Sequence, residues 1–289
     1  MMSDINSKSS KMFQIVLGVI FVMITILTLI PVLRVVSMSV SSKDAILTGK
    51  VFVYPVEFTL EAYQKVFGNS NFIKSFLYTI ILTGGYTLVC MIMTILAAYP
   101  LSKKNLKGGK LIMTLFVLTM YFNPGIIPTY LNVKDFNLLD TVWALVIPGA
   151  LSAYNLIIMR SFFLGIDESL YEAAYIDGCT HWKTLTKIAI PLAVPAIATL
   201  SLFYAVSRWN GISDVLYYIN SSDLYTVQMK LKQMMDSITI SMEEGQSSQL
   251  IADNIKSASI VVSMTPMLIA YPFIQKYFTK GIMLGAVKG

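Results

Sequence analysis

The chain is 289 residues long, 55% hydrophobic and only 13% charged, with a mean hydropathy of +0.66 and a formal net charge of +6. Soluble domains carry about 25% charged residues, so this composition suits a lipid solvent rather than water. The positive charge is therefore read by its position along the chain, and no basic run interleaved with aromatics marks a nucleic-acid surface.

In chain order, residues 1–11 are polar, and the first apolar segment follows at 12–36, interrupted by Pro31 and Arg34. That segment is too long for a signal-peptide core and no A-x-A cleavage pattern follows, so it reads as a retained span. Within the polar stretch 37–71, apolar residues at helical spacing over 58–67 predict a short external helix with Thr59 as its N-cap. Further apolar segments follow at 72–101, 111–131, 141–163, 191–217 and 257–278, each near the 20 residues that cross a hydrocarbon core. The second carries Gly84-Gly85, a pair that suggests close helix packing. The predicted class is all-α: one polytopic membrane domain over 1–289 with six transmembrane helices.

Six crossings put both termini on one side. The short loop 102–110 carries Lys103, Lys104, Lys107 and Lys110, and short basic loops set orientation. This places the N-terminus, the loop 166–190 and the tail 279–289 in the cytoplasm.

The inventory of reactive groups is thin. Gly108-Gly109-Lys110 lacks the upstream glycine and the hydroxyl residue of a phosphate-binding loop, so the chain is not its own P-loop ATPase. With His181 as the one histidine, and Cys90 and Cys179 far apart, no metal set or disulfide is expected. No nucleophile elbow is present. The chain is predicted to be no enzyme and to bind no cofactor itself.

Polar residues inside the apolar segments are the remaining candidates. Pro124 and Pro128 disrupt the third segment, and irregular backbone at membrane depth is tolerated where it is buried in protein or lines a wet cavity. Tyr121 and Asn123 then face a solute pathway, joined by Tyr154 and Asn155 in the fourth segment and Tyr204 in the fifth. Aromatic faces with amides suit a sugar; the same tyrosines also suit an interfacial belt. Arg208 lies deep in the fifth segment beside Trp209 and Asn210. It is either an intramembrane functional charge or the interfacial end of a span that stops near Val206. Arg34 and Arg160 lie near span ends, where long cations reach the interface.

The stretch Glu172-Ala173-Ala174-Tyr175-Ile176-Asp177-Gly178, running on to Ile190-Pro191-Leu192, is polar and rich in small residues between two apolar segments. It reads as a short helix ended by Gly178, with Glu172, Ala173 and Asp177 on one face and Ala173 and Ala174 giving low relief for a partner's approach. This pattern resembles the EAA loop of binding-protein-dependent ABC-importer permeases. So do 123–131, 138–145, 155–160, 203–210 and the tail 281–289, which is similar to the ending of the maltose-permease G-type subunit, in the branch that serves oligosaccharides and polysaccharides with a lipoprotein.

The resemblance implies a type I importer in a bacterial cytoplasmic membrane. A second, non-identical permease completes the pore, two cytoplasmic ABC ATPase subunits bind ATP and Mg, and an extracellular lipoprotein delivers sugar. It makes Glu172, Ala173, Ala174, Asp177 and Gly178 coupling positions and sends Gly285, Ala286, Val287, Lys288 and Gly289 into the ATPase dimer. In the resembled system direct sugar contacts come mainly from the other permease. A permease for a peptide or amino acid, and an ATP-independent carrier, are the alternatives.

Overall fold

The computed structural model describes residues 8–122, 124–243 and 252–286. Among these the secondary structure is helical, apart from one antiparallel bridge between Ser41 and Phe58. In chain order the helices are α1 (Lys8–Ser39), α2 (Lys43–Leu47), α3 (Glu61–Gly68), α4 (Ser70–Leu101), α5 (Gly109–Tyr121), α6 (Ile126–Asp135), α7 (Val142–Val146) and α8 (Ala153–Leu164). Then come α9 (Glu168–Ile176), α10 (His181–Thr184), α11 (Ile190–Leu192), α12 (Val194–Trp209), α13 (Ser213–Tyr218), α14 (Val227–Glu243) and α15 (Ala252–Ala286).

The chain divides into two compact units, one of Met1–Ile73 with Leu231–Met264 and one of Lys74–Lys230 with Thr265–Gly289. In the first unit α1 is apolar on every side and none of its residues 12–36 is buried, as a helix solvated by lipid requires. Serines hold the segment that follows: the Ser37 hydroxyl donates to the Val53 carbonyl at 2.6 Å and the Val56 N–H donates to the Ser41 hydroxyl at 3.1 Å. The Thr59 N–H donates to the Val40 carbonyl at 2.9 Å, which keeps residues 58–59 extended. The external helix therefore starts at Glu61, not at 58, and Leu60 takes the cap position. Thr59 is not the N-cap; its hydroxyl accepts the Glu61 N–H from one residue further out.

The second unit has a continuous core that includes Leu82, Tyr86, Cys90, Tyr99, Leu156, Met159, Phe163, Tyr171, Leu185, Leu200, Tyr204 and Val215. Gly84 and Gly85 lie on the outward face of α4, with nothing of this chain within 4 Å of a Cβ built at either. The expected close packing at this pair is thus not made by another helix among the described residues.

Among the described residues three helical stretches are long and apolar enough to cross a bilayer unbroken: Met12–Ser39, Ser70–Leu101 and Asp253–Pro272. The expected spans 111–131, 141–163 and 191–217 are each interrupted. The third breaks at Phe122, whose backbone is extended, and restarts after Gly125 at φ +81. The fourth breaks at 147–152, between α7 and α8. The fifth bends by 81° between His181–Leu192 and Val194–Trp209. At 1.5 Å per residue, the 16 residues of α12 rise only about 24 Å, short of a full crossing by themselves. Prolines at 124, 148, 191 and 195 sit at or beside these interruptions, where they remove backbone donors.

Candidate functional site

Helix α9 is built by local chemistry at both ends. The Asp167 carboxylate accepts the Ser169 N–H at 3.0 Å, and Asp167 with Glu168 puts negative charge at the helix N-terminus, where the macrodipole favours it. At the other end Gly178 has φ +74, a conformation that costs glycine nothing. The Gly178 N–H donates to the Tyr175 carbonyl at 3.1 Å and the Cys179 N–H to the Ala174 carbonyl at 2.9 Å, the paired bonds of a Schellman stop.

Glu172, Ala173, Asp177 and Gly178 are all exposed, and Ile176 beside them is 86% exposed. Ala174 is not on this outer face: it is 4% exposed and points inward with Tyr171. The low-relief surface is therefore made by Ala173 alone, while Ala174 lets the helix sit close to its own unit. An apolar side chain as bare as Ile176, framed by two acids, is an unusual choice for a face that meets only water.

The inner face docks on the ends of two longer helices. Tyr99 of α4 meets Phe163 of α8 edge-on at 5.8 Å and Tyr171 of α9 at 6.4 Å. The Lys103 ammonium lies 3.1 Å from the Tyr171 ring centroid and 4.7 Å from that of Tyr99. Burial pulls the Lys103 pKa down and pushes the Tyr171 hydroxyl up to about 12. Beside it, Lys104 and Glu168 pair at 2.6 Å in full view of solvent. The Arg160 Nε donates to the Leu101 carbonyl at 2.7 Å, satisfying an end group of α4. Tyr175 and His181 meet at 3.1 Å between hydroxyl and Nδ1.

The interruption at 147–152 is held by side chains from α4 and α12. Backbone groups freed at membrane depth each cost several kcal/mol unless they find partners. The Tyr86 hydroxyl donates to the Gly149 carbonyl at 3.1 Å, with the Cys90 thiol on the same carbonyl at 3.5 Å. The Tyr204 hydroxyl accepts the Ser152 N–H at 3.1 Å and bonds Thr94 at 2.7 Å. Arg208, 4% exposed, donates Nη1 to the Leu145 carbonyl at 3.1 Å, closing the end of α7. It forms a two-pronged ion pair with Asp214, with Nη2 to Oδ1 at 3.0 Å. Its guanidinium lies 5.8 Å from the Tyr86 ring centroid.

These contacts sort the pathway candidates. Arg208 is a buried, paired charge at the end of α12, which runs past Val206 to Trp209. Arg208 and Asn210, with Tyr86, Ser207, Asp214 and Tyr218, line a cavity of about 440 Å³. Tyr204 serves the core, and Trp209, 2% exposed, packs edge-on to Phe76 at 6.0 Å. The Asn210 amide donates to the Val206 carbonyl at 2.9 Å. Asn155 is buried at the start of α8, whereas Tyr154 and Tyr121 are 55% and 81% exposed. Asn123 lies outside the described residues, as do Val287, Lys288 and Gly289; Gly285 and Ala286 end α15.

Asp214, Tyr86 and Lys103 are not found by sequence reasoning. Asp214 leaves a signal, an acid six residues beyond an intramembrane arginine. Tyr86 leaves none, because its partner Gly149 is 63 residues away. Among the described residues no group of three acids, histidines and cysteines is placed to hold a metal ion.

The family described as "Binding-protein-dependent transport system inner membrane component" matches residues 91–284. The polygalacturonan/rhamnogalacturonan transport system permease protein YtcP of Bacillus subtilis (strain 168) is 39% identical over 286 residues, 97% of this chain and 99% of that one. Protein LplC of the same organism is 38% identical over 287 residues, 98% of this chain and 97% of that one. A chain in the crystal structure of a bacterial ABC transporter involved in the import of the acidic polysaccharide alginate superposes with a TM-score of 0.87 at 35% identity, covering 94% of this chain and 98% of that one. The chain thus has a type I importer permease fold, and it belongs to the family of binding-protein-dependent transport system inner membrane components.

Proposed function

We propose that this chain is one of two non-identical permease subunits of an ATP-driven importer of oligosaccharides or polysaccharides in the cytoplasmic membrane of a bacterium. Six crossings are made by α1, α4, α5 with α6, α7 with α8, the bent 181–209 pair and α15, and both termini are cytoplasmic. Two ABC ATPase subunits, which carry ATP and Mg, grip α9, and an extracellular lipoprotein presents the sugar. The tail 285–289 reaches the ATPase dimer. The carbohydrate substrate is supported by relatives named for polygalacturonan, rhamnogalacturonan and alginate.

The observation that carries this reading is the outer face of α9. It is a nine-residue helix stopped at both ends, with Glu172, Ala173, Ile176 and Asp177 exposed and its opposite side docked on α4 and α8. ATP closure of the ATPase dimer moves the cleft that holds α9. The motion passes into the spans, and the pore turns from inward-facing to outward-facing. Binding energy drives this because ATP has different affinities for the two states. Arg208 and Asn210 stand on the pathway wall, with Tyr204 and Trp209 fixing its shape.

The test is uptake and cross-linking in the assembled complex. Glu172→Lys and Gly178→Asp abolish uptake at normal membrane abundance, and a cysteine at 172 cross-links to the ATPase. Normal uptake by both variants, or a Glu172→Cys chain that never cross-links, refutes the coupling role. An uptake screen of acidic against neutral oligosaccharides identifies the sugar.

A further inference from the structure

We propose that Lys103 is a positioning residue, a cationic pin that fastens α9 to the end of α4 so that movement of the coupling helix is transmitted to that span. The proposal rests on the coupling role argued above.

Three helices meet at one aromatic cluster, through Tyr99, Phe163 and Tyr171. One cation enters it, the ammonium of Lys103, at 3.1 Å and 4.7 Å from two ring centroids. A cation over the face of an aromatic ring is attracted by the ring quadrupole, and more strongly once desolvated. Lys103 is half-buried, and this burial is the chief cause of its lowered pKa, so the ammonium is partly withdrawn from water. The acid that acts on it, Glu168, is itself committed to Lys104 at 2.6 Å. Tyr171 is 7% exposed and its buried hydroxyl has no hydrogen-bond partner. What it presents to the cluster is its π face.

The geometry also explains why a pin is needed there. Helices shorter than about 12 residues are marginal by themselves, and α9 has nine. Its C-terminal end is stopped by the Gly178 turn and steadied by the Tyr175–His181 contact. Its first turn carries the Lys104–Glu168 pair, whose side chains are 73% and 63% exposed and exert little hold in water. Half-buried Lys103 on the face of buried Tyr171 is the more shielded tie of that turn. Without it, a pull on α9 pivots the helix about its C-terminal end instead of moving α4.

The experiment uses the whole complex in proteoliposomes and measures solute imported per ATP hydrolysed. Lys103→Met keeps the length of the side chain and removes the charge; the ratio falls several-fold while the ATPase still cross-links to a cysteine at 172. Lys103→Arg restores most of the ratio, since a guanidinium also sits over aromatic faces. Lys104→Met leaves it unchanged. Should Lys103→Met fail to accumulate, Tyr171→Phe and Tyr171→Leu replace it: the phenylalanine variant keeps the ratio and the leucine variant loses it. An unchanged ratio in Lys103→Met, or equal ratios in the two Tyr171 variants, overturns the pin. Loss of the 172 cross-link in the unaltered background overturns the coupling reading instead.

Discussion

Replacing Gly149 by alanine adds one methyl group where the second unit leaves no room for it. A Cβ at this position lies 2.6 Å from the Tyr86 hydroxyl and 3.3–3.4 Å from two atoms of its ring. Gly149 does not have a positive φ, so the alanine backbone itself is unstrained and the cost is steric. Tyr86 is 8% exposed and donates its hydroxyl to the Gly149 carbonyl, so its ring cannot move aside without losing that bond. Overpacking costs ~1–3 kcal/mol and the hydrogen bond ~1 kcal/mol, which puts Gly149→Ala at ~2–4 kcal/mol. Tyr86→Phe removes the clashing oxygen and costs ~1 kcal/mol through the lost bond. In the double variant the ring contacts at 3.3–3.4 Å remain and need a shift of a few tenths of an ångström. The double variant therefore costs ~1–2 kcal/mol, below the ~3–5 kcal/mol sum of the singles. The assay is denaturant unfolding of the purified protein in detergent micelles, read as a double-mutant cycle. A double variant that costs the sum or more refutes the close approach of Tyr86 to Gly149.

Two further perturbations probe contacts on other loops. Asp214→Asn leaves the buried Arg208 guanidinium without its counter-charge; the loss is ~3 kcal/mol, the low end for a broken buried pair, because Asp214 is 30% exposed. Thermal unfolding measures it; an unchanged midpoint in Asp214→Asn contradicts the pairing. The Asp140 carboxylate is held below the usual range by the Ser221 hydroxyl and then by the Ser221 and Asn220 N–H groups. A depressed folded-state pKa means its contribution is complete above the ordinary aspartate value, about 3.9, and is lost as pH falls through the lower folded value. Hydrogen exchange at Asn220 and Ser221 then rises at neutral pH in Asp140→Ala, and in the unaltered chain only below about pH 4. Loss of protection already at pH 5 contradicts the clasp.

What the residues determine by themselves is what neighbours along the chain can arrange. Hydropathy is a sum over consecutive residues, so the long apolar helices α1, α4 and α15 overlap the segments expected at 12–36, 72–101 and 257–278. The stop at Gly178 needs only carbonyls three and five residues back, so α9 ends where Glu172 to Gly178 implied. The interruptions near Pro124 and Pro148 are local too, but their shape is not. A helix breaks at membrane depth only if something else bonds its backbone, and here that is Tyr86, Cys90, Tyr204 and Arg208, 52 to 63 residues away in sequence. No window of the chain contains both the freed carbonyl and the hydroxyl that takes it.

The same limit separates the two readings of Arg208. Charge and depth are written in its neighbours, and both an intramembrane function and an interfacial position fit them. Only the folded unit brings Asp214, the Leu145 carbonyl and the Tyr86 ring around one guanidinium. Lys103 shows it again: as one of four lysines in a short loop it reads as an orientation signal, and tertiary packing alone sets it between Tyr99 and Tyr171. Local hydrogen bonding and hydropathy are short-ranged along the chain, whereas desolvation and ring packing depend on which distant segments fold against each other.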